Sequence, residues 1–423
     1  MITAGLVLDR ALRAAGVDAV YGGPLAGVRT VGIRDPRVAA LAVRAHQRVH
    51  GTLAAAHLGD GRLVIGAPGA MPELTLDDPA DVAEAVAAGH LTLRIGFDPA
   101  ALTADRRPWA APPVDRWVDP DADQLRSLAA AKRPVALAGP GVVRDRAVPG
   151  LNAFATAGSL GVLNTWGAKG VFDWRSRHHW ATIGLQALDF ELGGLASADL
   201  IIGTGIDTAE APAERWQLAP WITLAPGALG PTAERWARPW VELEVPPLRS
   251  GLAAVTQEGW ASSGGPLAPT RATLHYGRCF GSGGLVAADP GVAGYWVART
   301  FSTTELGSAQ VPAEIDNEGF AVACGLVARL RRPGRPVLAA VDGPPGEMVG
   351  AVLEAAASLG VAVPVEVWDP EGPQLEPDAH LDRLARLVLD DQPLPVRLAT
   401  DPTQLGRMIE VAGPVVAWNG VAV

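Results

Sequence analysis

Lysine is nearly missing from the 423 residues: of 35 basic side chains only Lys132 and Lys169 are lysine, so Schiff-base chemistry has two candidates. Cysteine is as scarce, and Cys279 and Cys324 are too few for a disulfide framework or a cysteine-rich zinc site. Positive charge is outweighed. With 45 acidic residues the formal charge is −10, which argues against nucleic acid or an anionic membrane as partner, because both are held by clustered Lys and Arg. No apolar run approaches the ~20 residues that cross a bilayer. The opening "MITAGLVLDRALRAAG" carries Asp9, Arg10 and Arg13 where a secretory leader needs an unbroken apolar stretch, so a cytoplasmic protein is expected.

What is present describes a folded chain. Hydrophobic residues make up 48% and charged residues 19%, and the 49 Gly and 36 Pro are spread rather than gathered in a low-complexity tract. The length exceeds one ordinary core, and three α/β domains are expected. Helix 2–16 runs into the strand "VDAVYGG". Next along the chain are a helix over "RVAALAVRAHQRVHGTLAAAHLG", the strand "GRLVIGAP", a helix in "DPADVAEAVAAG" capped by Asp78 or Asp81, and the strand "LTLRIGF". Residues 103–120 and 247–270 mix Pro, Gly and Ser without periodicity and are read as linkers. Between them, "RPVALAGPGVV", "VLNTW" and "ADLIIGTGID" are strands; after them come "GGLVAADPG", "RPVLAAVDG", "VAVPVEVWDP" and "GPVVAW". Alternation of strand and helix implies mostly parallel sheets.

Three such domains, with "AKRPVALAGPGVVR", "LGVLNTWGAKGVFDWRSRHHWATIG" and "SADLIIGTGID" in the middle one, resemble the thiamine-diphosphate enzymes of the acetolactate synthase and pyruvate oxidase type. The resemblance implies three consecutive Rossmann-like domains: a shortened pyrimidine-binding-like domain at 1–115, a central α/β domain at 121–250, and a diphosphate-binding-like domain at 270–423. It also implies thiamine diphosphate and magnesium as cofactors, and a homodimer or homotetramer, since the family builds each site from two chains.

Departures from the family pattern shape the expected function. The family's glutamate, which hydrogen-bonds the aminopyrimidine, is replaced by His46 in "VRAHQRVH", making His46 the catalytic candidate. The family's Gly-Asp-Gly turn is "VDGPP": Asp342 and Gly343 are kept, but Pro344 and Pro345 lack N–H groups for a diphosphate. Asp369 stands about where the family's second metal ligand falls, so Asp342 and Asp369 are the metal candidates. Tens of residues that wall the family's active site are missing after Gly69.

Other constellations carry weaker chemistry. His46 and His50 have the i, i+4 spacing of a zinc protease with Gln47 in place of its glutamate, and His57 lies farther along. Gly139 and Gly141 in "AGPGVVR" and the turn in "GTGIDTAEAP" are candidates to cradle the phosphates of a flavin or other nucleotide, or to serve only as turns. Nine tryptophans, from Trp109 to Trp240, gather in the first linker and the middle domain, with Arg215 and Arg235 placed to stack. Three functional readings stay open. The first is a non-catalytic accessory subunit with a decayed cofactor site, either self-associated or a partner subunit of a larger enzyme complex. The others are an active carboligase or 2-oxoacid decarboxylase with an atypical site, and a nucleotide- or acyl-CoA-binding protein using the central domain.

Overall fold

The computed structural model describes residues 1–66, 71–105, 117–280, 282–314, 316–389 and 395–419. They form two compact units: Met1–Asp115 with Val322–Pro333 and Glu347–Ala362, and Arg116–Ala321 with Gly334–Gly346 and Val363–Val423. Most of the first expected linker falls outside the described residues, and so does Trp109. No helix among the described residues is long and apolar enough to cross a membrane.

The first unit starts with strand β1 (Ile2–Thr3) and the helix Ala4–Ala14, capped by the Thr3 hydroxyl, which accepts from Leu6 N. Its buried side, Val7, Leu8, Ala11 and Leu12, packs with β2 (Val17–Gly22) in the unit's core. Then come β3 (Val31–Gly32), β4 (Leu53–His57), β5 (Arg62–Ile65), β6 (Leu74–Leu76), β7 (Thr92–Ile95) and β8 (Leu102–Thr103). Six of the strands form a sheet in the order β3-β2-β4-β5-β7-β6, while β8 pairs with β1. This sheet is mixed, because β5 runs antiparallel to both neighbours.

The helix expected across "RVAALAVRAHQRVHGTLAAAHLG" ends at His50, where Gly51 takes φ 65° and donates its N–H to Gln47 O. The remainder of that stretch forms β4. Ala54, Ala55 and Ala56 favour helix intrinsically, but here they are fully buried in mid-sheet, and packing overrides propensity. Asp78, rather than Asp81, caps the next helical segment by accepting from Ala80 N.

The second unit contains two all-parallel sheets. One joins β9 (Pro134–Ala138), β10 (Gly161–Thr165), β11 (His179–Ile183), β12 (Leu200–Thr204) and β13 (Trp221–Leu224) in the order β11-β10-β9-β12-β13. The other joins β14 (Leu285–Ala288), β15 (Ala309–Gln310), β16 (Val337–Asp342), β17 (Val365–Trp368) and β18 (Val396–Leu398) in the order β15-β14-β16-β17-β18. Every residue of β9, β10, β12 and β14 is buried, as a parallel sheet covered on both faces requires. The fold is therefore α/β.

The strand order reverses between β9 and β12, and again between β14 and β16; such switch points open a crevice at the carboxyl ends of the strands. Two expectations fail in this unit. The stretch 247–270 is not a structureless linker but begins as the helix Pro247–Ala261, with Pro in its first turn, where the missing N–H costs nothing. "GPVVAW" is no strand: Val415 makes one isolated bridge to Gln186 before a short helical turn, Ala417–Asn419.

Candidate functional site

The crevice between β14 and β16 collects the acidic ends of both strands. Asp342 closes β16 and turns its carboxylate onto the start of the helix Val292–Thr300, accepting from Val292 N at 2.6 Å and Ala293 N at 2.9 Å. Gly291 makes room for it: at φ 144° a Cβ there would lie 2.0 Å from Asp342 Oδ2. Burial pushes the Asp342 carboxyl up, while the two N–H bonds pull it down. At the end of β14 Asp289 does the same for the next helix, accepting from Gly319 N and Ala321 N, both at 2.7 Å. Deep burial raises its pKa to about 7 against those two bonds. Helix N-termini attract anions through their free N–H groups and dipole, and in this crevice the protein's own carboxylates fill them.

Asp369 lies past the end of β17, next to β16, and a Cβ on Gly343 would come within 2.9 Å of its Cβ. The structure thus brings Asp342, Gly343 and Asp369 to one strand end. Their functional atoms are engaged, however. Asp369 pairs with Arg397 at 2.7 Å and accepts from Glu371 N at 2.9 Å; that backbone bond, then Arg397, holds its carboxyl below the usual range. Gly343 N donates to Trp368 O at 2.8 Å, and the next two residues are Pro344 and Pro345. Among the described residues no three His, Cys, Asp or Glu side chains converge as a metal site.

His46 belongs to the first unit, on the helix Pro36–His50. Its Nδ1 accepts from the Tyr21 hydroxyl at 2.8 Å, and its Nε2 donates to Thr52 Oγ1 at 3.0 Å, which in turn donates to Asp18 at 3.2 Å. Burial, reinforced by the nearby His50, lowers the His46 pKa to about 4, so the imidazole is neutral at pH 7 with both nitrogens occupied. Burial, and then the Asp18 charge, also push the Tyr21 phenol up, keeping it a donor. His50 reaches Val327 O at 3.1 Å and lies edge-on to His46, with ring centroids 4.6 Å apart, while His57 reaches Gly23 O at 3.3 Å.

At the central switch point Gly139 and Gly141 face the turn after β12. Gly139 N donates to Thr204 O at 2.9 Å and Gly141 N to Gly205 O at 2.8 Å. A Cβ at Gly139 would lie 2.4 Å from Gly205 O, and one at Gly141 would lie 2.6 Å from Gly205 Cα. These glycines are needed for close backbone approach. Of the three, only Gly205, at φ 58°, needs a left-handed residue.

Residues 122–222, about a quarter of the chain, match the family model of the thiamine pyrophosphate enzyme, central domain. This stretch is similar to the central domain of thiamine pyrophosphate enzymes. No curated protein matches the chain. Enzymes of this family carry thiamine diphosphate, usually with magnesium.

Within the matched stretch lies a residue whose setting is not apparent from the sequence. Lys169, in the turn "WGAKG", is buried, and burial together with the Arg299 charge lowers its pKa to about 7. Arg299 is wholly buried against Asp189 at 2.8 Å and donates to Thr182 O. Arg215 lies 4.9 Å over Phe190, whereas Arg235 pairs with Asp119 instead of stacking. Asp289 was legible only as the Asp of "AADPG" ending a buried strand, since the helix it caps begins some thirty residues later.

Proposed function

We propose that this chain is a non-catalytic thiamine-diphosphate-enzyme-like protein, organised as three α/β domains near 1–115, 121–250 and 270–423, that self-associates and serves as an accessory subunit. One observation carries the reading: the Asp342 carboxylate is lodged on the N-terminus of Val292–Thr300, in the cradle that Gly291 leaves. A magnesium-bridged diphosphate needs carboxylate oxygens directed at the metal and backbone N–H groups directed at the phosphates. Asp342 and Asp369 are tied to protein partners, Gly343 N is spent on Trp368 O, and Pro344 and Pro345 have no N–H. These residues do not fit that group, and no catalytic step is derived through it. His46 adds to this, as its two nitrogens are held by Tyr21 and Thr52.

Calorimetry with thiamine diphosphate and magnesium tests the reading, on protein whose self-association is established by sedimentation. Two missing charge-assisted bonds cost roughly 1.5–3 kcal/mol each, so affinity is expected at millimolar or weaker. Micromolar binding that disappears in Asp342→Ala would overturn it in favour of an active carboligase or 2-oxoacid decarboxylase. A strict monomer would remove the accessory-subunit part.

A further inference from the structure

Lys169 closes the short turn Trp166–Ala168 that follows β10, its backbone N–H donating to Trp166 O at 3.2 Å. The next residue, Gly170, is pressed against the loop after the helix Val292–Thr300, where a Cβ on it would lie 2.7 Å from Glu305 O, and Trp174 N fastens the same loop by donating to Thr303 O at 2.9 Å. The backbone that carries the amine is therefore fixed.

The amine itself is unpaired. Lys169 is 8% exposed, and its Nζ makes no hydrogen bond or ion pair among the described residues yet is not wholly covered, so the side chain ends at a narrow opening rather than on a partner. Two ionisable groups face it. Arg299 is already spent on Asp189 and Thr182 O, and His179, whose pKa burial and then Lys169 and Arg249 lower to about 3 against the pull of Asp173, is neutral at pH 7. Neither can neutralise an ammonium. Burial, then Arg299, bring the Lys169 pKa to about 7, so about half of the molecules carry a free amine at neutral pH, where an ordinary lysine near ~10.4 offers fewer than about one in a thousand.

We propose that Lys169 is a carbamylation site that takes up carbon dioxide. A single amine is a poor anion site, but a covalent adduct needs only one nucleophile, and carbon dioxide is small and apolar enough for an opening this narrow. The Nζ lone pair forms the C–N bond, one C=O electron pair moves onto oxygen, and the amine gives one proton to water, leaving a carbamate anion. No leaving group, oxidant or second substrate is required. The adduct faces Arg299 with the opposite charge, so attraction replaces repulsion where the local dielectric is low. None of these groups belongs to the β14–β16 crevice, so the site stands or falls independently of the thiamine diphosphate reading.

Having only two lysines in the chain makes the test direct. The full chain, equilibrated with carbon-13-labelled carbon dioxide and bicarbonate at about pH 7.5, should show a carbamate signal by NMR. Alkylation with an oxonium reagent should then fix the adduct for mass spectrometry, and peptide mapping separates Lys169 from Lys132 and the α-amino group. The exposed Lys132 is the internal reference, and trapped occupancy at Lys169 should exceed it at least about 10-fold. Lys169→Met, which removes a buried charge and keeps an unbranched chain, should delete a carbamate signal that Lys132→Met retains. Comparable occupancy on the two lysines, a carbamate spectrum unchanged by Lys169→Met, or no adduct on Lys169 of the natural protein at saturating carbon dioxide would each overturn the proposal.

Discussion

Asp342 ends β16, and whether its carboxylate faces a ligand or a helix is decided by Gly291, a residue in another loop, where a Cβ would lie 2.0 Å from Asp342 Oδ2. The same holds for His46. Its position in "VRAHQRVH" marked it as the stand-in for an acid, while Tyr21 and Thr52, which occupy its nitrogens, come from a strand and a turn that helical spacing does not reveal. The consequence is a pH dependence with a definite sign. Folding lowers the His46 pKa to about 4 from an ordinary value near ~6.5, so protons favour the unfolded chain. The stabilisation is complete above about pH 6.5 and is lost as pH falls towards 4, by up to about 3 kcal/mol at 1.4 kcal/mol per unit. Urea unfolding at pH 7 and pH 5 should show a smaller loss in His46→Gln than in the natural protein. An equal loss would show that His46 is protonated alike in both states.

Among the elements, buried parallel strands were the most legible, because β9, β12, β14 and β16 are short apolar runs stopped by Gly or Asp. The errors were ones of competing forces. Alanines in β4 satisfy helix propensity, yet burial in mid-sheet decides them, and the Pro-, Gly- and Ser-bearing stretch after 247 winds into a helix because its proline sits in the first turn. Glycine meant different things in different elements. At Gly205 a Cβ would lie 2.5 Å from Val142 N and the backbone is left-handed, whereas Gly277, inside the helix Pro269–Cys279, has nothing within 4 Å. Alanine should therefore act with opposite signs. Gly205→Ala is expected to destabilise by about 2 kcal/mol or more through overpacking, and Gly277→Ala to stabilise by about 0.5–1 kcal/mol through helix propensity. Melting curves of the two variants distinguish close approach from mere tolerance.

At the scale of the whole molecule, the second unit holds two sheets and several apolar clusters, and a buried ion pair links segments that sequence reading assigned to different domains. Arg299, on the helix after β14, reaches Asp189 at 2.8 Å and Thr182 O at 2.8 Å, with both charged side chains fully buried. Asp189 also accepts from Leu185 N at 2.8 Å and Gln186 N at 2.9 Å, so each charge sits in a nearly complete set of partners. Nothing in "YWVARTF" or "LQALDFE" announced this pairing, since neither charge belongs to a motif and they lie 110 positions apart. Desolvating two ions is expensive, and a buried pair is often no better than apolar replacements, but removing one partner strands the other. Arg299→Met should thus cost about 3–5 kcal/mol. Asp189→Asn keeps an oxygen for the Leu185 and Gln186 N–H groups while removing the stranded charge, so Arg299→Met with Asp189→Asn should recover a substantial part of the loss. Denaturant unfolding of the two single variants and the double variant measures the coupling directly. Additive losses, with no recovery, would mean that the sheets are joined by apolar packing alone and that the pair is incidental to it.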